Sequence, residues 1–307
     1  MTATVARLTP RLDFASLLGE WEIAMKCENK SKSTLHNYVT GVRVFVRWCE
    51  DNGQEPALDR QLVRAWVADL LEGGAQASSA AARQLAVRRF SAWLAEEGEI
   101  DSDLLYGLRL PKLPRKVLEA LSDAEAKRLI AVCSGPEFRD RRDEALIRLM
   151  LETGLRRAEV CALKLRDLNL EPEQSFALVR CGKGAKGRIA PFGPHTARAL
   201  SRYLRARRTH PLHERDDLWL GDRGRTLGYD GVRFCVQYRA ELAGIKDFHL
   251  HKLRRTFACR WLAAEGSEQG LMAVAGWTSH AMIARYTNAS AAERAAAESR
   301  RLNLGEI

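Results

Sequence analysis

The sequence has no run of about 18 consecutive apolar residues, the length a helix needs to cross a bilayer. Its opening stretch, MTATVARLTPRLDF, also lacks the apolar core of a secretory signal. A membrane role is therefore not expected, and the cytoplasm is the expected location. Paired cysteines are missing too. The seven cysteines (Cys27, Cys49, Cys133, Cys161, Cys181, Cys235, Cys259) are odd in number and never spaced as CxxC, which argues against a disulfide framework and a structural zinc site. No internal repeat is present, and AAERAAAES near the C-terminus is the one low-complexity tract. Acidic residues are in deficit: 39 Asp and Glu face 49 Lys and Arg, for a formal charge of +10. That balance favours an anionic partner such as nucleic acid, although it also serves simple solubility.

What is present is enough for two buried cores: 307 residues, 46% of them hydrophobic. The pattern reads as mainly α with one small β-sheet. Residues 1–107 are expected to form a helical bundle. Asp13 is placed to cap the first helix and Ser33 or Thr34 the second, in which Leu35, Tyr38, Val42, Phe45, Val46 and Cys49 recur at helical spacing. Asn52-Gly53 and Gly73-Gly74 are stop signals. A fourth helix, from about Ser78 to Glu97, carries Arg83, Arg88 and Arg89, which suit either a DNA backbone or an ordinary solvated face. Residues 108–118 hold Pro111 and Pro114 among Arg109, Lys112, Arg115 and Lys116 and read as an extended, basic linker. Residues 119–307 form the second expected domain. Ser122 and Glu125 have capping-box spacing, a buried helix runs from Arg141 to Leu151, and another is expected from Ala158 to Leu165. FALVRCGKGAKGRIAPFG alternates as two strands around a tight Gly-Lys-Gly turn.

Three basic clusters carry candidate chemistry. In TGLRRAE, Arg156 follows a glycine turn and Glu159 lies one helical turn on, where it can fix the guanidinium; Arg157 stands beside it as a second candidate. Lys183 occupies the hairpin tip, with Lys186 and Arg188 competing for its role as proton donor or phosphate contact. In FHLHKLRRTFACRWL, His251 and Arg254 share one face of a helix start. His249, His251 and Cys259 lack a further ligand at suitable spacing, so no metal is expected. Near the C-terminus, GWTSHAMIARYTN presents Trp277 and Tyr286.

Arg156 in TGLRRAE, Lys183 in GKGAKGR, HKLR from His251 to Arg254, and Tyr286 nine residues after Trp277 together resemble the tyrosine recombinase (phage integrase) family. The order and spacings extend the resemblance over nearly the whole chain. It implies an N-terminal core-site DNA-binding domain and a catalytic domain that together clamp DNA. It also implies a site-specific recombinase, of phage or mobile-element integrase type, with chromosome-dimer resolution as the nearest variant. In such an enzyme Arg156 and Arg254 clamp the phosphate and Tyr286 attacks it to give a 3′-phosphotyrosyl link. Lys183 protonates the leaving 5′ oxygen, His251 assists on the tyrosine side, and Glu159 orients Arg156. Neither ATP, a metal nor another cofactor is implied.

Two positions depart from the common pattern. Trp277 stands where many relatives have histidine and offers an indole N–H and packing, not a proton. Arg255 stands where histidine is common, as a further DNA contact or a second clamp. The implied partners are double-stranded DNA with paired recombination sites, a homotetramer on DNA formed from free monomers, and an optional directionality factor. The tail 290–307 is expected to dock on a neighbouring protomer or to fray, and with only about a dozen residues before the first helix, an additional arm-site domain is not expected. Two other readings share these residues: a DNA-binding regulator without catalysis, and a type IB topoisomerase that relaxes DNA.

Overall fold

The computed structural model describes residues 12–113, 119–180, 187–222, 224–280, 282–283 and 299–301. The chain divides into two compact units, Met1–Lys116 and Val117–Ile307.

The first unit is four helices: α1 (Phe14–Cys27), α2 (Lys32–Asp51), α3 (Arg60–Glu72) and α4 (Ala77–Glu96). Their starts follow local chemistry. Asp13 accepts the N–H groups of Ala15 and Ser16, and Asp59 those of Gln61 and Leu62, satisfying donors that the helix itself leaves unpaired. For α2 the expected cap is displaced by one turn's edge. Ser31, not Ser33 or Thr34, accepts the Thr34 N–H at 3.2 Å, because the helix already begins at Lys32. The apolar faces meet in an aromatic core of Trp21, Phe45, Trp66, Phe90 and Trp93. Gly41 lets α2 approach α4 closely: a Cβ there would lie 2.5 Å from the Ala86 Cβ. Leu108, assigned to the linker on sequence, is 3% exposed and packs in this core. Its side chain finds an apolar seat although the flanking residues are basic.

The second unit is built around α6 (Phe138–Thr153), a helix buried on nearly every side. Before it comes α5 (Asp123–Ala131), opened by the reciprocal box in which Ser122 N–H meets Glu125 Oε2 at 2.8 Å and Glu125 N–H meets Ser122 Oγ at 3.2 Å. After it, α7 runs only from Arg157 to Ala162, shorter than expected, since Leu163 turns extended and buries itself. The sheet has one strand more than the pattern showed. The two-residue β1 (Leu168–Asn169) pairs antiparallel with β2 (Phe176–Val179), and β2 with β3 (Arg188–Pro191), Ala177 facing Ala190. Then follow α8 (Pro194–Arg207), α9 (Tyr229–Leu242), α10 (His251–Ala263) and α11 (Glu268–Ala275). The buried charges on α6 are paired. Asp143 accepts Arg142 Nε at 2.9 Å and Arg239 Nε at 2.8 Å, which ties α9 to α6 without leaving a charge alone in low dielectric.

Candidate active site

The expected site residues Lys183 and Tyr286 lie outside the described residues, as do Lys186, Arg115, Lys116 and nearly all of the tail. Arg156, Glu159, His251, Arg254 and Trp277 are described, and the second unit brings them together.

Their meeting point is the C-terminal end of α11. Three consecutive carbonyls there each accept a guanidinium N–H: Val274 from Arg188 Nε at 2.7 Å, Ala275 from Arg254 Nη2 at 2.7 Å, and Gly276 from Arg156 Nη2 at 3.1 Å. A helix C-terminus leaves carbonyls unpaired and carries partial negative charge, so it is a natural seat for cations. Gly276 holds φ +65°, and a Cβ there would come within 3.0 Å of the Arg188 guanidinium. Glycine therefore fits twice, by its backbone and by the space it leaves.

Glu159 organises two of these arginines. Its carboxylate accepts the Arg156 N–H at 2.7 Å and Arg156 Nη1 at 3.0 Å, and takes Arg188 Nη1 and Nη2 in a fork at 2.9 and 2.8 Å. Burial would raise its pKa, but the Arg188 hydrogen bonds, the Arg156 N–H and the two cationic charges outweigh it and hold the group below the ordinary carboxylate value. Arg188 and Arg255, expected as DNA contacts, are seated inward in the second unit. The Arg188 side chain is 10% exposed and is consumed by Glu159 and Val274. Arg255 is 2% exposed and donates to the Glu119 carbonyl at 3.2 Å. Both are turned inward toward acceptors far away along the chain, which charge in the sequence does not reveal.

Arg254, 3% exposed, also donates to the Gly154 carbonyl at the end of α6, and its Cζ lies 5.2 Å from the Trp277 ring centroid. Trp277 is itself buried in a small cluster with Phe257, Leu262, Leu271 and Ile283. It therefore walls the arginine with a π face.

Arg156, His251 and Arg254 line a pocket of about 470 Å³. Arg157 and Arg233 add to its cationic wall, His249 also lines it, and among the described residues no Asp or Glu does so. His251 keeps contact with solvent, yet desolvation first, then the charges of Arg255 and Arg254, His249 and Arg156, push its pKa down to about 4. Its imidazole is therefore neutral near pH 7 in the DNA-free protein. Such a pocket can bind a phosphate and offer it both fixed donors and a neutral base.

Tyr229, Arg233 and Gln237 also line the pocket and were not found from sequence. Arg157 sits 3.3 Å over the Tyr229 ring, joining α7 to α9. Arg233 and Gln237 are four apart and share a helix face, but which face meets the pocket is set by tertiary packing. On the first unit, Arg89, Arg109 and Lys112 are exposed while Arg83 and Arg88 are half-buried.

A helical unit is followed by a helix-rich unit that carries a three-stranded sheet and an arginine-lined pocket able to hold a phosphate. A phage integrase family model matches residues 119–293 and a phage integrase N-terminal SAM-like domain model matches 19–98, so the chain belongs to the phage integrase family of tyrosine recombinases. It is 31% identical to the tyrosine recombinase XerC of Xanthomonas axonopodis pv. citri (strain 306), covering 84% of this chain and 87% of that one. Against the tyrosine recombinase XerC of Mycobacterium bovis (strain BCG / Pasteur 1173P2) it is 31% identical, covering 93% and 98%. Among solved structures, XerH site-specific recombinase bound to palindromic difH substrate superposes with a TM-score of 0.73 at 18% identity, over 95% of this chain and 90% of that one. That likeness speaks for the fold. No helix among the described residues is long and apolar enough to cross a membrane.

Proposed function

We propose that the protein is a site-specific recombinase acting through Tyr286 at the Arg156–Arg254 pocket, on paired sites in double-stranded DNA. The observation that carries the reading is the pocket itself: six basic residues line it, and no acid does so among the described residues. Tyr286 Oη attacks the phosphorus, the bond from phosphorus to the 5′ oxygen breaks, and a 3′-phosphotyrosyl link forms. The neutral His251 imidazole accepts the tyrosine proton, and Lys183 gives a proton to the departing 5′ oxygen. Charge building on the nonbridging oxygens meets Arg156 and Arg254, already held by Glu159 and the backbone carbonyls, so the donors need not reorganise. Trp277 packs on Arg254. Rejoining is the reverse, with the bond energy kept in the phosphotyrosine, and the cycle uses neither ATP nor a metal.

The enzyme works in the cytoplasm as a homotetramer on DNA, assembled from monomers, with a directionality factor where one direction is favoured. Residues 1–107 supply core-site contacts through Arg83, Arg88, Arg89 and, with the linker 108–118, Arg109, Lys112, Arg115 and Lys116. Residues 119–307 supply the chemistry. Between a mobile-element integrase and a Xer-type recombinase, the 31% identity to proteins named XerC favours the latter.

Nicked suicide duplexes made from candidate sites test the reading. Wild type should leave a covalent protein–DNA adduct on a denaturing gel, and Tyr286→Phe none. An adduct from Tyr286→Phe removes the nucleophile assignment. Lys183→Ala should regain cleavage on DNA with a 5′-thio leaving group, since a thiolate departs without a proton; no rescue reduces Lys183 to a phosphate contact.

A further inference from the structure

The second unit carries another basic depression, on a different face of α6 from the candidate active site. Residues two apart on a helix point roughly 200° apart, and here Met150 lines the active-site pocket while Arg148 lines a depression of about 400 Å³ beside α8. The depression is lined by Arg148, His195, Arg198, Ser201, Arg202 and Arg205. Every one of these can donate a hydrogen bond. The segment 194–213 contains five arginines and three histidines and no Asp or Glu.

Among the described residues, one carboxylate reaches the cluster. Glu144 accepts Arg148 Nε at 2.8 Å and Arg202 Nη2 at 2.8 and 2.7 Å, so a single negative charge is shared by two guanidiniums. Arg198 and Arg205 are exposed and, among the described residues, make no ion pair; Arg198 Nη2 lies 3.0 Å from His195 Nδ1. Arg207, on the same helix, shows what a structural arginine looks like. It is 4% exposed and donates to the carbonyls of His213, Arg215, Asp217 and Leu218. Arg198 and Arg205 have no such set of carbonyl partners among the described residues, and Arg202 shares Glu144 with Arg148. Arg205 also lines a neighbouring depression with Arg141 and His210, which extends the basic surface.

We propose that this face of α8 is a second docking surface for the phosphate backbone of a DNA duplex, separate from the DNA held at the active site. Arg198, Arg202 and Arg205 stand at i, i+4 and i+7 on one face and span about 10 Å at 1.5 Å per residue. Three nucleotide steps of one strand advance about the same distance along the duplex axis, at about 3.4 Å each. The match of spacing, the density of donors and the concave shape favour a phosphate backbone over an acidic peptide. A recombinase must manage more than one DNA segment, and a cationic face turned away from the active site can hold a segment without competing for it.

Arginine footprinting with phenylglyoxal, read by peptide mass spectrometry on the full-length protein, tests this. A mixed-sequence DNA duplex in excess should slow modification of Arg198, Arg202 and Arg205. On protein already bound to one biotinylated duplex, capture of a second, labelled duplex should weaken steeply with salt. The variant R198Q/R202Q/R205Q should lower that salt slope by about 2 to 3, near 0.9 for each lost phosphate contact. Unchanged modification of the three arginines, or an unchanged slope, overturns the proposal. So does protection by polyglutamate without protection by DNA, which would make the partner an acidic protein. Arg156 reports the active-site reading in the same footprint, so either idea can fail while the other stands.

Discussion

Glu159 ties two arginines, a strand and a helix end into one unit, so its charge should matter to both folding and catalysis. Glu159→Gln leaves the nearly buried Arg188 without its counter-charge, and should cost about 3 kcal/mol in urea unfolding, within the range for breaking a buried pair. Cleavage should fall with it, because the Arg156 guanidinium loses its orienting partner while DNA binding persists. The pH dependence has a definite sign. The Glu159 pKa is lowered on folding from the ordinary carboxylate value of 4.5, so its stabilisation is present above that value and is lost as pH falls through the folded pKa. His251 acts in a higher window. Its pKa falls from 6.5 to about 4, so the unfolded chain binds the proton more readily and stability declines as pH drops from 6.5 towards 4. Glu159→Gln should flatten the acid end of the stability curve, and His251→Gln the part between about 4 and 6.5. An NMR titration of His251 in DNA-free protein should show a midpoint far below 6.5; a midpoint near 6.5 would mean the pocket does not hold the imidazole neutral. Arg254→Gln, which removes a donor to the developing charge, should slow covalent-adduct formation by about 10² to 10³.

At the level of elements, close approach is as informative as charge. Gly41 lies against Ala86 with no room for a methyl, so Gly41→Ala should push α2 off α4 and cost about 1 to 3 kcal/mol as overpacking, less what helix propensity returns. Adding Ala86→Gly should recover part of that loss in a urea titration. A double variant no better than the additive sum would show that the two helices are not limited by this contact. The helices and their caps were largely legible in the sequence because their causes are local: Asp13 reaches its own first turn, and Ser122 and Glu125 satisfy each other three residues apart. What stayed illegible came from distance along the chain. Arg188 looked like a free hairpin cation because Glu159 and Val274, which take its donors, lie 29 and 86 residues away. Arg255 looked like a DNA contact for the same reason. The motif residues Arg156, His251, Arg254 and Trp277 were readable through family resemblance, whereas Arg233 and Gln237 belong to no motif and enter the site only through the seating of α9.

For the whole molecule, a formal charge of +10 gives a general attraction to DNA, but the structure distinguishes cations that are already employed from those left for solvent. Arg142, Arg207 and Arg239 are buried on internal acceptors and line no part of the candidate pocket, so they should contribute little to a phosphate contact. Arg89, Arg109 and Lys112 are exposed on the first unit and remain available. Replacing these three with glutamine in the full-length protein should lower the slope of log affinity against log salt by about 2.7, from 0.9 per phosphate contact. The fold should be unaffected, since surface substitutions away from special contacts usually shift stability by no more than about 0.5 kcal/mol. Fluorescence anisotropy on one duplex across a salt series reads the slope, and single-turnover adduct formation at saturating DNA reads the chemistry. A lower slope with an unchanged cleavage rate would divide the labour as proposed, backbone attraction to the first unit and bond-breaking to the second. A slope that does not move would show that these three side chains face solvent in the complex and that the attraction arises elsewhere on the chain.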